Sequence, residues 1–263
     1  MIKKVDDFLK ISIVIPSYNK VNYIKRTLQS IVDQKYPNLE IIVQDGGSTD
    51  GSVSIIKSFA KKYPAIFKWE SKKDNGQVDA INKGLKKSKG DILTYINADD
   101  VYKRGALSEV AQNFKERGDI LWVSGYGDII NKDGDKISDF VSTYKNILLK
   151  FNNYTFLLIV NFLTQPSTFL SRKAYKNYGP FTGTRNYVME YDLWLKLGSI
   201  QMPLIIKKTL SSFRLTNDNI SSTAAKELLN IDNQISKKYT NNILIILLHK
   251  IHNLGRIFLL NFL

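Results

Sequence analysis

The chain has 263 residues with 43% hydrophobic content, enough to bury a sizeable core as one large domain or as a domain with an appendage. It holds no cysteine and only two histidines, His249 and His252 near its end, which excludes disulfides and thiolate metal sites and argues against a histidine triad or a histidine-rich zinc site. Carboxylates must then do most of any acid, base or metal chemistry; a net charge of +14 calls for an anionic partner such as a nucleotide, nucleic acid or acidic membrane surface, without choosing among them.

The opening residues carry Lys3, Lys4, Asp6, Asp7 and Lys10 and no apolar stretch of signal-peptide length, and no run approaches the roughly 18 apolar residues of a membrane span. The expectation is a chain that stays on the cytoplasmic side. Residues 11–15 are β-branched and bounded by Pro16, which predicts a strand, while 23–34 carry Ile24, Leu28, Ile31 and Val32 at helical spacing. The pattern recurs with a strand at 40–43, the loop "DGGSTDGS" at 45–52, and a helix at 53–62 stopped before Pro64. A strand at 66–70, a helix at 77–87, a strand at 91–96 and a helix at 105–117 with Leu107, Val110, Ala111 and Phe114 inward follow. Strands alternating with helices of this length argue for right-handed crossovers, hence an α/β fold with a mostly parallel sheet flanked by helices.

The character changes after residue 119. A strand at 120–123 is followed by "DIINKDGDKI" (128–137), whose Asp-Gly signal predicts a hairpin and so a small antiparallel element. Residues 154–163 are apolar and fit either a helix or a strand, and 187–197 predict a helix with acidic residues near its start. The tail "ILIILLHKIHNLGRIFLLNFL" (243–263) has its longest apolar run at 243–248, broken by Lys250, Asn253 and Arg256. It reads either as an interfacial helix attracted to anionic lipid or as a core or dimer-interface helix. The division expected is a main domain over 1–220 and a C-terminal helical extension over 221–263.

In an open parallel sheet, ligands gather beyond the carboxyl ends of the strands. Three loops leave such ends: "PSYN" (16–19), "DGGSTDGS" and "NADD" (97–100). Gly46 and Gly47 allow close backbone approach, with Ser48, Thr49 and Asp50 as helix caps, yet neither the dinucleotide nor the P-loop fingerprint is present. Asp74, Asn75, Gly76, Gln77 and Asp79 form a similar turn, with ordinary capping as the plain alternative. The apolar strand that runs into Asp99 and Asp100 raises a sharper question, because adjacent carboxylates repel and are costly to bury unless a cation or donor offsets them. Such a pair suits a hard divalent cation that shares its coordination with water and substrate phosphate; a carboxylate that merely caps a turn is the alternative.

"IPSYN", "IIVQDGGSTDGS", "NGQVDAINKGLKKSKGDILTYINADD" and "MEYDLWLKL", in this order over roughly residues 11–215, resemble the inverting family-2 glycosyltransferases of the GT-A fold. The resemblance implies that Pro16 and Tyr18 line the base pocket, Asp45 bonds the base, Asp79 positions the nucleotide sugar and Asp99 meets the ribose or sugar, with Asn19, Gly76 and Asn97 beside them. Asp100 would ligate Mn²⁺ or Mg²⁺. Gly46 stands where relatives often carry a second aspartate, which weakens a uracil assignment. Glu190 falls at the general-base position, with Asp192 as runner-up, and Lys196 replaces the usual arginine. Gln165 and Arg214 match acceptor-side segments, and Thr216 replaces a histidine that often adds a metal contact. The partners implied are a nucleotide-sugar donor, with a UDP-sugar the expected class, and a glycan or lipid-linked acceptor of surface polysaccharide synthesis.

Two rivals remain. A sugar-phosphate nucleotidyltransferase would carry a Gly-rich phosphate loop where this chain has Pro16-Ser17-Tyr18-Asn19, and a non-catalytic nucleotide-binding scaffold would have kept the fold and lost the chemistry. Nucleic acid is disfavoured because the lysines do not interleave with aromatics as a base-stacking platform would. A peripheral position on an anionic membrane face and a homo-oligomer are both compatible with the tail.

Overall fold

The computed structural model describes residues 5–137, 139–183, 189–216 and 225–260. Its elements, in chain order, are β1 (Ile11–Ser17), α1 (Ile24–Val32), β2 (Leu39–Asp45), α2 (Ser52–Lys62), β3 (Phe67–Ser71), α3 (Gln77–Lys87), β4 (Ile92–Tyr95), β5 (Val101–Tyr102) and α4 (Ala106–Arg117). There follow β6 (Trp122–Ile130), α5 (Asp139–Leu148), α6 (Tyr154–Ile159), β7 (Thr168–Ser171), α7 (Arg172–Tyr178), α8 (Met189–Gly198) and β8 (Leu204–Arg214), and then α9 (Ala225–Tyr239) and α10 (Ile243–Leu260). The strands form one eight-stranded sheet in the order β3-β2-β1-β4-β7-β6-β8-β5.

The first half is the parallel sheet that the alternating pattern predicts: β1 pairs in parallel with both β2 and β4, and β2 with β3. β1 and β2 are buried along their whole length because helices cover both faces. Ile11, Ile13 and Ile15 point into a core shared with α1, α2 and α4, while Val14 points the other way, with Ile42 and Leu93, into a core shared with α3, α6 and α8. On that second face α3 lies close to β1: a Cβ on Gly84 would stand 2.4 Å from a methyl of Val14.

The second half carries the antiparallel pairing. The turn expected at 128–137 closes as a short antiparallel return of one bridge, Ile130 to Lys136, with Ile137 N donating to Ile129 O at 3.2 Å and Asn131 N to Asp135 O at 2.8 Å, and the Asn131 carboxamide oxygen accepts from the amides of Asp133, Gly134 and Asp135. Along the rest of β6, β8 pairs in parallel on one edge, and β7 and Asn146 of α5, whose carboxamide bonds both the N–H and the C=O of Gly127, occupy the other. The further antiparallel strands are β7, inserted between β4 and β6, and the short β5 against the end of β8. The ambiguous 154–163 segment splits into α6 and an extended stretch that leads to a 3₁₀ turn at Gln165–Ser167. Residues 187 and 188 of the expected 187–197 helix, the proposed boundary at 220/221 and residues 261–263 of the tail lie outside the described residues.

At the amino ends of the strands a buried carboxylate ties four segments together. Glu40 of β2 accepts from Ser12 Oγ of β1 at 2.6 Å, Lys68 Nζ of β3 at 2.7 Å and the amide of Lys89 before β4 at 2.7 Å, and Gly90 N donates to Ser12 Oγ at 2.7 Å. Burial pushes the Glu40 carboxyl up, but the Lys68, Ser12 and Lys89 donors outweigh it and leave its pKa below the ordinary value. A depressed folded pKa contributes stability above the unfolded glutamate value and loses it as the pH falls through the folded one. Glu40→Gln is therefore expected to cost about 2 kcal/mol at neutral pH in urea unfolding, with the gap to the parent narrowing as the pH falls below the ordinary glutamate range.

Candidate active site

The loops after β1, β2 and β4 lie side by side because these strands are parallel neighbours in register. Pro16 sits opposite Gln44 of β2, past the point where β4 stops pairing at Tyr95, so its missing N–H forfeits no ladder bond. Tyr18 follows, 63% exposed, and Asn19 turns the chain with φ of 50°. The first two loops are stitched by Asn19 N to Ser48 Oγ at 2.8 Å, Thr49 N to Asn19 Oδ1 at 3.0 Å and Gly46 N to Ser17 O at 2.8 Å.

Asp45 is buried and directs its carboxylate at its own loop, accepting from the amides of Gly47 and Ser48 and from the hydroxyls of Ser48 and Ser71. Beside it, a Cβ on Gly46 would lie 3.1 Å from Asp74 Oδ2, so a neighbouring loop already supplies a carboxylate next to the position where an aspartate is missing. Asp74 also accepts from Gly76 N at 2.9 Å, with Gly76 at φ of 100°. Asp79, in the first turn of α3, accepts from Lys83 Nζ at 2.7 Å and Asn75 N at 3.0 Å, and these two bonds lower its pKa. That is the ordinary capping arrangement; in this structure the carboxylate serves its own helix.

The carboxylate pair is where the site is most constrained. Asp99 is nearly buried and Asp100 fully so. Lys20, directly after the "PSYN" loop, places Nζ 2.7 Å from Asp99 Oδ2. Arg214, at the end of β8 and 1% exposed, donates its backbone N–H to Asp100 Oδ1 at 2.9 Å and its Nε to the Asp99 carbonyl at 2.8 Å. Its Nη1 bonds the carbonyls of Asn131 and Lys132, and Tyr23 stacks against the guanidinium. Thr27 Oγ1 donates to the Asp100 carbonyl at 2.7 Å, and Asn97, itself held by Gln77 Nε2 at 2.6 Å, approaches Asp100 Oδ2 at 3.3 Å. Burial, then the neighbouring Asp99 charge, pushes the Asp100 carboxyl well above the usual range despite these donors.

This arrangement favours added positive charge at Asp100. Its Oδ2 has a long neutral contact with Asn97, and among the described residues the Lys20 ammonium and the Arg214 amide are the other donors set against the two adjacent carboxylates. The donor set fits a hard divalent cation that takes one or two protein oxygens and completes its shell elsewhere. No cluster of three or more Asp, Glu, His or Cys stands together among the described residues, so a cation would lean on ligand and water oxygens.

Glu190 and Asp192, both in the first turn of α8, have different surroundings. The Glu190 carboxylate accepts a hydrogen bond from Tyr95 OH at the end of β4, two residues before Asn97. Burial raises the Glu190 pKa, and the Tyr95 bond and the Lys145 charge only partly offset it. Burial and the Glu190 charge hold the Tyr95 proton in place. Asp192 instead accepts from Thr182 Oγ1 at 2.8 Å and from Tyr239 OH at 3.3 Å, and lies 3.6 Å from Lys238, so it faces the C-terminal helices. Tyr95 is clamped edge-on by Phe181, whose backbone N–H and C=O are both bonded by the Asn82 carboxamide of α3. Gln165 donates to the Tyr95 carbonyl at 2.8 Å.

The structure thus brings Pro16, Tyr18, Asn19, Asp45, Gly76, Asn97, Asp99 and Asp100 to one end of the sheet and joins Glu190 to it through Tyr95. Arg214, expected on the acceptor side, is instead a buried support behind the carboxylate pair. Sequence reasoning did not find Lys20, Tyr95 or Thr27; Lys20 has only its position after "PSYN" as a signal, and Tyr95 reads as one more apolar residue of a strand.

Comparison with known proteins agrees with this architecture. Residues 12–179 match the model of glycosyl transferase family 2. An uncharacterized glycosyltransferase of Nostoc sp. is 33% identical over 135 residues, 51% of this chain and 41% of the relative, so the chain spans less than half of that relative's length. The putative teichuronic acid biosynthesis glycosyltransferase TuaG of Bacillus subtilis is 27% identical over 217 residues, 82% of this chain and 83% of the relative. Among solved structures, the mannosyltransferase PcManGT from Pyrobaculum calidifontis, in complex with GDP-Man and Mn2+, superposes with a TM-score of 0.69 at 16% identity, covering 92% of this chain and 69% of that one. S. aureus TarS 1-349 in complex with UDP-GlcNAc gives 0.63 at 17% identity, covering 86% and 65%. With its sheet topology, its strand-end carboxylate pair and this match over most of its length, the chain belongs to glycosyl transferase family 2 and has the GT-A fold.

Proposed function

We propose that this chain transfers a sugar, with inversion, from a nucleoside-diphosphate sugar to a hydroxyl of a glycan or lipid-linked acceptor in surface polysaccharide synthesis, working at the inner face of a membrane. The observation that carries the reading is that one strand, β4, presents both chemical devices: Tyr95 at its end holds Glu190, and the residues that follow are the buried pair Asp99 and Asp100. TuaG, named for teichuronic acid biosynthesis, supports the class of acceptor.

Tyr18, exposed on the loop after β1, would stack on the base, with Asn19 and Asp45 on the stitched loops after β1 and β2 beside it. Asp79 and Asn97, on α3 and the carboxylate loop, flank the sugar and ribose with Asp99. Asp100 would hold a Mn²⁺ or Mg²⁺ ion, which when bound supplies positive charge toward the departing diphosphate. Glu190 takes the proton from the acceptor hydroxyl as that oxygen forms its bond to the anomeric carbon, and the bond from that carbon to the diphosphate oxygen breaks with its electron pair leaving on the nucleotide. A carboxylate with a raised pKa suits proton abstraction, and the Tyr95 hydrogen bond orients it and favours its charged form. The environment of Asp192, shared with Thr182, Tyr239 and Lys238, supports Glu190 over Asp192 as the base.

Thermal unfolding with UDP, GDP or dTDP, each with and without Mn²⁺, is expected to show one nucleotide raising the midpoint only when metal is present. Asp100→Asn should abolish that rise while raising the stability of the unliganded protein by about 1 kcal/mol, because it removes a carboxylate that burial, and then the adjacent Asp99 charge, disfavour. In a donor-turnover assay, Glu190→Gln should lower kcat by about a thousandfold and Asp192→Asn by less than about tenfold; equal losses would move the base to Asp192. Tyr95→Phe removes the bond that lowers the Glu190 pKa, so the acid limb of the kcat/KM profile should move to higher pH while the basic limb stays in place.

A further inference from the structure

α10 is built inside out. Of its residues, His249 and Asn253 are buried, with His249 Nδ1 on the Ile159 carbonyl at 2.9 Å, Asn253 Nδ2 on His249 Nε2 at 2.9 Å, and the His249 ring stacked at 5.8 Å and 2° on Tyr191, the neighbour of Glu190. Its outward face carries Ile243, Leu244, Leu247, Leu248, Ile251 and Leu254, between 39% and 83% exposed. At about 100° per residue these six fall within a sector of roughly 140°, with Lys250 on its border. A helix in water places its polar side chains outward; here His249 and Asn253 are inside and six large apolar side chains outside, so this face needs an apolar cover. Among the described residues no helix is long and apolar enough to cross a membrane, which leaves a surface contact.

Charge decides what the cover is. From Lys237 to Leu260 the sequence contains Lys237, Lys238, Lys250 and Arg256 and no acidic residue, within a chain of net charge +14. Lys237, Lys238 and Lys250 are all exposed. A two-fold dimer through this face would set the lysines of one copy against those of the other, whereas an anionic bilayer offers apolar depth and opposite charge together. We propose that the outer face of α10 docks onto an anionic phospholipid surface, inserting Leu247, Ile251 and their neighbours between acyl chains while the flanking lysines meet headgroup phosphates. This rests on and deepens the membrane placement proposed above. Through His249 and Tyr191, the docked helix is packed directly behind the one that carries Glu190.

The test is co-sedimentation of the full chain with vesicles of phosphatidylcholine alone and with about one-third phosphatidylglycerol. Partition onto the acidic vesicles should be at least about tenfold stronger, and Leu247→Asp/Ile251→Asp should remove it with the thermal midpoint retained. Should that variant not fold, Lys237→Glu/Lys250→Glu, at exposed positions, should abolish the acidic preference. No binding by the parent chain, binding undiminished in the variants, or a dimer in sedimentation equilibrium that Leu247→Asp/Ile251→Asp dissolves without vesicle binding would each overturn the proposal. The nucleotide-dependent midpoint shift, measured on the same samples, separates the two readings: its loss with vesicle binding intact removes the donor assignment alone, and its persistence without vesicle binding removes the docking alone.

Discussion

Burying two adjacent like charges is the constraint around which the far half of this molecule is arranged. Asp99 and Asp100 leave water at the end of β4, and each needs a donor or a counter-charge there. Lys20 reaches across from the β1 loop, and Arg214 arrives from the far side because β5, immediately after the pair, zips antiparallel onto the end of β8. The parallel β6–β8 pairing delivers that end of β8, and the β6 turn offers the carbonyls of Asn131 and Lys132 to the same guanidinium. Arg214 thereby joins the site, the sheet edge and the β6 turn in one buried network. The compensation is incomplete: burial, and then the Asp99 charge, hold the Asp100 carboxyl well above the usual range.

A second consequence comes from the period of the strand. Leu93 and Tyr95 of β4 point to the core face shared with α3 and α8, where Phe181 and Trp194 pack. Tyr95 is thus a core ring whose hydroxyl reaches the first turn of α8, and it fixes Glu190 relative to the carboxylate loop that follows two residues later. The linkage runs through a rigid strand, the kind of support that catalytic geometry requires.

The two ends of the sheet divide the labour. At the amino ends, the Glu40 network is fully paired and ties β1, β2, β3 and the approach to β4 into a stable platform. At the carboxyl ends the Asp99 and Asp100 pair is left only partly matched. Stability sits where the charges are satisfied, and function where they are not.

Much of this was legible in the residues themselves. The β-branched runs at 11–15 and 40–43, the helical periodicity of 77–87 and the alternation of strand and helix determined the parallel half, because period and length suffice when both faces of a sheet are buried. The loops at strand ends, and the oddity of two carboxylates closing an apolar strand, pointed to the candidate site. Tertiary structure alone decided the rest. β7 and β8 draw their pairing from distant strands, whereas the return at 128–137 is local and stops after one bridge, Ile130 to Lys136. Lys20, Arg214 and Tyr95 became parts of the site only through contacts 79, 114 and 95 residues away in sequence. Local sequence carries period, turn chemistry and composition; which charge meets which carboxylate depends on long-range pairing, and no local pattern encodes that.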